Sequence, residues 1–112
     1  MNVKELVPSP KKNETFRRSR CRFIPECSGC YALTTFSGVV LYVGLATNLR
    51  ERMGQHLDSP EKTRETVIGR AVLFHWLETR EINKVERTWM NIHIQFEGVL
   101  PELNKVYSPV SV

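Results

Sequence analysis

Two runs of strand-forming residues stand on either side of Ser37-Gly38, and no other feature of this chain restricts its fold as strongly. Cys30-Tyr31-Ala32-Leu33-Thr34-Thr35-Phe36 is followed by Val39-Val40-Leu41-Tyr42-Val43-Gly44, and both runs are rich in β-branched and aromatic side chains. A two-residue turn between such runs reads as a β-hairpin. Tyr31 on the first strand and Tyr42 on the second can then come onto neighbouring positions. Gly44 lets the backbone turn sharply, or lets a ligand approach closely.

A helix follows the hairpin. Asn48 is an N-cap residue with Glu51 three positions on, and Leu49, Met53 and Leu57 recur four apart as an apolar stripe. Asp58-Ser59-Pro60 ends it, and residues 58–66 read as an exposed loop. Residues 71–77 are apolar on both alternating faces, which suits a strand covered on two sides. A second helix is expected from about residue 80 to 96, with Ile82, Val85, Trp89, Ile92 and Phe96 on its buried side and Gly98 as its stop. Pro101-Glu102-Leu103-Asn104 reads as a short extended segment. The order β-β-α-β-α defines an α+β domain with a small, mostly antiparallel three-stranded sheet flanked by helices.

Charge divides the chain. Residues 1–24 carry Lys4, Lys11, Lys12, Arg17, Arg18, Arg20 and Arg22 against Glu5 and Glu14, while the whole chain has a net charge of +4. The excess therefore lies in the first segment, on a nearly neutral body. We expect residues 1–22 to be a flexible basic arm, residues 23–107 the domain, and residues 108–112 a loose tail. Lys11, Lys12, Arg17, Arg18, Arg20 and Arg22 are then candidates for contacts with a nucleic-acid backbone. With 112 residues there is room for one core. No run is apolar enough to suggest a membrane span or a leader, so the expected address is cytoplasmic. Cys21, Cys27 and Cys30 are an odd set without a second closely spaced pair, which argues against a disulfide framework and leaves a zinc-stabilised interaction domain as a minor reading.

Five side chains could carry chemistry. Arg52 and His56 are four apart and share one face of the first helix, at the edge of its apolar stripe. There a guanidinium can meet a phosphate while partly desolvated. Glu86 lies at the edge of the second helix's buried stripe, where a carboxylate can hold a divalent cation. An imidazole or a phenol can take a proton from water, an arginine can stabilise charge on phosphate, and a Mg²⁺-bound carboxylate can assist the leaving oxyanion. Tyr31, Tyr42, Arg52, His56 and Glu86 together suit phosphodiester hydrolysis. Singly, each has a plainer reading: strand tyrosines pack, an arginine snorkels over an apolar stripe, and a glutamate makes a surface ion pair. His93 reads as a helix-face residue without a partner, and His75 as packed within its strand.

The ordered series goes further than its members. Gly29-Cys30-Tyr31, then Tyr42-Val43-Gly44, then Arg52 and His56, resembles the signature of the GIY-YIG nuclease superfamily. The lead-in Ile24-Pro25-Glu26-Cys27-Ser28-Gly29 is similar to the entry of the nuclease domain in the bacterial excision-repair incision subunit. Glu86 and Pro101-Glu102-Leu103-Asn104 are similar to the family's glutamate and its terminal Pro-x-x-Asn element. The resemblance spans residues 24–105. It implies a metal-dependent DNA endonuclease, using Mg²⁺ or Mn²⁺, that cuts one strand per active site.

By the same resemblance, one of Tyr31 and Tyr42 orients or deprotonates the attacking water, and Arg52 contacts the scissile phosphate. His56 holds the position where relatives carry His or Tyr. Glu86 is the single protein ligand of the metal, Asn104 supports the site, and Gly44 closes the second motif. Three departures stand out: Cys30 replaces the usual Ile or Val, Leu45 replaces a common Lys, and the interval from Glu86 to Asn104 is longer than in most relatives. Either the second helix is extended there or the match has slipped, with Glu81 and Glu97 as competing carboxylates. A catalytically silent nucleic-acid-binding module that keeps the fold is the alternative. The expected partner is DNA, with branched or damaged forms as candidates, and a homo-oligomer or partner protein as a source of specificity.

Overall fold

Every residue of the strand Gly29–Thr34 is buried, which a strand achieves only where both faces of its sheet are covered. In the computed structural model, which describes residues 1–106, this strand is β2. The others are β1 (Lys12–Thr15), β3 (Val40–Ala46) and β4 (Leu73–Glu78). The helices are α1 (Leu49–Leu57), a single turn α2 (Pro60–Thr63) and α3 (Ile82–Glu97). The strands pair antiparallel in the order β1-β4-β2-β3.

The sheet has four strands, not three, because the segment expected to be a flexible arm supplies β1. Lys12–Thr15 hydrogen-bonds along β4, whose outer edge would otherwise be unpaired. Before it, Val3 and Leu6 are buried in the α3-side core, and after it Phe16 enters the core on the α1 side. Trp89 Nε1 donates to the Pro8 carbonyl at 2.8 Å, tying the first residues to α3. Residues 1–22 are thus packed into the domain. The expected tail, residues 108–112, lies outside the described residues.

Period-2 alternation sorts the core into two layers. Tyr31, Leu33, Phe74 and Trp76 pack with Leu49 and Met53 of α1, whereas Cys30, Ala32, Val40 and Val43 pack with Val85 and Trp89 of α3. Asn48 caps α1 as expected, its side chain accepting from the Glu51 N–H at 3.1 Å. Gly98 ends α3 with a left-handed φ of 78°, and its N–H donates to the Ile94 carbonyl at 2.7 Å.

Other expectations shift. The hairpin loop runs over residues 35–39, and Phe36 stands 86% exposed instead of extending β2. Residues 60–63 form a helical turn within the expected loop, opened by Pro60. Residues 102–106 form a 3₁₀ turn, not an extended segment. The buried stripe of α3 is Val85, Trp89 and His93, and Phe96 is 60% exposed. His93 is partnered, its Nδ1 lying 2.7 Å from the Val99 carbonyl. The 3.6-residue period carries Phe96 past the sheet, while His93 stays on the line through Val85 and Trp89.

Trp89 is the largest fully buried side chain, so its loss removes both a core volume and the bond to Pro8. Trp89→Ala is expected to cost about 3–5 kcal/mol in urea unfolding monitored by circular dichroism.

Candidate active site

The sheet register sets the two tyrosines. Tyr31 lies opposite Gly44, and Tyr42 opposite Leu33, so the phenols are diagonal neighbours on the α1 face. Their ring centroids are 6.0 Å apart and stacked. Tyr42 shares that face by ordinary alternation, two residues before Gly44, and the bulge between Leu33 and Thr34 falls beyond it. Gly44 sits inside β3, not at a turn. A Cβ there would fall 2.5 Å from the Tyr31 hydroxyl and 2.9 Å from Tyr42 Cε2. The glycine is therefore required by the space its own neighbours fill.

Helix α1 adds His56 and Arg52. The Tyr31 hydroxyl and His56 Nε2 are 2.5 Å apart, with Tyr31 0% and His56 8% exposed. The His56 ring stands edge-on to Tyr42 at 5.1 Å. Behind them, Phe74 stacks on Tyr31 at 5.0 Å and fixes its ring. Burial pushes the Tyr31 phenol well above its ordinary range, the Tyr42 phenol adds to this, and Arg52 pulls it back. Burial pushes His56 down to about 3, helped by the charges of Lys62 and Arg52. The pair is thus a neutral phenol bonded to a neutral imidazole. Arg52 Nη1 donates to the Leu45 carbonyl at 3.2 Å, which anchors the guanidinium at the end of β3.

Sequence reading missed Lys62. Its Nζ lies 4.9 Å from the Tyr42 ring centroid, and its charge helps keep His56 neutral. The one sequence signal for it is Pro60, which starts the turn that folds the chain back over β3.

Asn104 supports β3. Its Oδ1 accepts from the Val43 N–H at 2.9 Å and its Nδ2 donates to the Val43 carbonyl at 3.1 Å. The side chain acts as one residue of a missing neighbour strand, between Tyr42 and Gly44 on the sheet edge. The long interval from Glu86 is accounted for by α3 running on to Glu97 before the chain returns to β3.

Glu86 is placed differently. It is half-buried on α3, which packs against the opposite sheet face, and burial raises its carboxyl above the usual range while Arg87 lowers it. It bears on Cys30, whose thiol is pushed up to about 12 by burial and then by Glu86. Cys30 is the register partner of Leu45. Glu86 and Arg52 therefore reach the same end of the β2–β3 pair from opposite faces. No hydrogen bond or ion pair joins Glu86 to Tyr31, Arg52 or His56 among the described residues. Glu81 is the N-cap of α3, and Glu97 at its other end is 2.5 Å from the amino terminus.

Of the basic residues in the first segment, Arg20 is held by Glu14 at 2.7 Å, Arg18 pairs with Asp58, and Lys12 is 3.9 Å from Glu78. Lys11, Arg17 and Arg22 are exposed and have no ion pair among the described residues. The zinc reading fails on layout: Cys21 and Cys27 pack on the α1 side, Cys30 on the α3 side. No three metal-ligating side chains cluster among the described residues. His75 packs within its strand, 3.0 Å from the Thr34 hydroxyl. No helix among the described residues is long and apolar enough to cross a membrane.

Together with the family match, an antiparallel sheet that presents paired tyrosines beneath a helix carrying arginine and histidine is a nuclease-type fold. The GIY-YIG catalytic domain matches residues 27–100, most of the chain, and the chain belongs to that family. A similar solved structure is the N-terminal GIY-YIG endonuclease domain of UvrC from Thermotoga maritima, a tyrosine-to-phenylalanine point mutant bound to its catalytic divalent cation. It is 18% identical, with 79% of this chain and 98% of that chain covered and a TM-score of 0.49. No protein with a curated description matches the chain.

The His56 shift has a consequence for stability. Unfolded His56 takes a proton near pH 6.5, whereas the folded imidazole resists until about 3. Between those values the unfolded state binds more protons, so stability falls as pH drops through that window and is regained above it. His75, also lowered by burial, acts in the same sense. His56→Gln, which keeps a hydrogen-bonding group beside Tyr31, is expected to flatten this acid limb in urea unfolding between pH 3 and 6.5. An unchanged limb would mean that His56 is not buried neutral.

Proposed function

We propose that this chain is a DNA endonuclease that hydrolyses phosphodiester bonds with a divalent cation, Mg²⁺ or Mn²⁺, cutting one strand per active site. The observation that carries this reading is the 2.5 Å contact of Tyr31 with a neutral His56, set beside Tyr42 and Arg52 on one sheet face. Neutral imidazole can accept a proton, and the bond to Tyr31 holds its ring in one orientation. Tyr31 is wholly buried and stays protonated, so it is a positioning residue, and Tyr42 is the phenol nearer the surface. Arg52 and Lys62 supply positive charge where the pentacovalent phosphate gathers negative charge.

Glu86 fits a hard cation by donor chemistry. It is a half-buried carboxylate at the same strand end as Arg52, and Mg²⁺ tolerates one protein ligand if water and phosphate provide the rest. When bound, the cation would polarise the phosphate and stabilise the leaving oxygen. Asn104 and Gly44 keep the β3 edge and the tyrosine rings in register. Three unpaired cysteines suit work in the reducing cytoplasm.

The deciding experiment is nicking of supercoiled plasmid, with and without Mg²⁺, beside branched and single-stranded substrates. Conversion to open circles before linear product, dependent on metal, supports this reading. Binding without any cutting would establish the silent nucleic-acid-binding module, which the absence of a lysine at Leu45 favours.

A further inference from the structure

A second concave surface lies on the other side of α1, between β1, β4 and the turn Arg18–Phe23. It is a groove of about 500 Å³, within the ~300–1,000 Å³ range of sites that enclose small molecules. Lys11, Lys12, Arg22 and Arg50 line it against the single carboxylate of Glu78. Lys12 is spent on Glu78 at 3.9 Å, and Arg50 donates to the Ile24 and Arg22 carbonyls. Lys11 and Arg22 are left without carboxylate partners among the described residues.

Two aromatic side chains share the groove. Phe23 is 48% exposed, with the Arg20 and Arg22 guanidiniums 4.6 and 5.0 Å from its ring centroid. Trp76 forms part of the wall, and its buried indole N–H has no hydrogen-bond partner among the described residues. Trp76 is also the register partner of Tyr31, so the groove and the tyrosines open from the same sheet face.

We propose that this groove takes an unpaired nucleotide of the nucleic-acid substrate, its base against Phe23 and its phosphates against Lys11 and Arg22. A cationic groove with an exposed aromatic is the combination that holds single strands, because any unstacked base offers a π-face. In a duplex the bases are stacked on one another, and one reaches such a groove only after it has been unpaired and unstacked, at an energetic cost. The proposal rests on the nuclease reading only in taking nucleic acid as the partner. It adds that substrates with a single-stranded segment are preferred.

The test is fluorescence anisotropy of the full chain in EDTA, using a labelled single-stranded oligonucleotide and a duplex of the same sequence. The single strand is expected to bind more tightly. Phe23→Leu is expected to weaken it about tenfold, as for loss of one stacked base, with the duplex unaffected and far-UV circular dichroism unchanged. Lys11→Gln should make the salt dependence shallower by about 0.7 in log–log slope for the single strand. Equal affinity for the two forms, equal loss on both with Phe23→Leu, or equally effective displacement by poly-glutamate would overturn the proposal. Because EDTA removes catalysis, these outcomes are independent of whether the chain nicks plasmid. Nicking without strand discrimination would sink the groove alone, and discrimination without nicking would sink the nuclease reading alone.

Discussion

Arg52→Ala is expected to slow DNA cleavage by about a hundredfold or more, with DNA affinity in EDTA nearly unchanged. The reason is where the charge grows. In the ground state the phosphate is already well solvated, and one guanidinium adds little. At the pentacovalent transition state the oxygens gather charge in a half-buried place where water reorganises poorly, and a fixed donor counts most. Arg52 is fixed, because Nη1 is held by the Leu45 carbonyl at 3.2 Å. Arg52→Lys should recover little, since a point charge cannot hold that carbonyl and meet a phosphate at once. Single-turnover rates beside anisotropy separate the two effects. Full activity in folded Arg52→Ala protein would remove the arginine from the reaction.

Glu86→Gln is expected to abolish cleavage while the fold and DNA affinity persist. Glutamine is nearly the same size, and it removes only the charge that a hard cation needs. Affinity for DNA should hold or rise, because a negative charge near phosphates is gone. Paramagnetic titration with Mn²⁺ should find weak binding to the free wild-type chain, stronger with DNA present, and none to the variant. The raised carboxyl has a further consequence: metal occupancy should fade at a higher pH than for an ordinary glutamate as acid is added. Glu81→Gln and Glu97→Gln should remain active, the latter carboxylate being engaged with the amino terminus. Normal cutting by Glu86→Gln would move the metal site elsewhere and leave Glu86 as a charge beside Cys30.

Local signals accounted for much of this architecture. Tyr31 and Tyr42 could be put on paired strands because both runs favour extended backbone. Arg52 and His56 could be put on one helix face because four residues make about one turn. Asn48 and Gly98 marked helix ends through short-range geometry that a few residues encode. The chain also carried the family's order of motif residues from Gly29 to Asn104, which named the candidate set before any contact was known.

What the sequence determined by itself was therefore local: strand and helix propensity, the caps, and the order of residue types along the site. The tertiary structure alone decided the rest. Lys12–Thr15 has no apolar alternation and becomes a strand only because β4 leaves backbone groups that need partners. His56 is buried and neutral only because Tyr31, Tyr42 and Lys62 close around it from three separate elements. Gly44 is required by two rings whose positions follow from register, and Phe23 joins Lys11 only where the first segment folds against β4. Propensity acts over a turn or a dipeptide, whereas desolvation and charge depend on what the whole chain packs around each group.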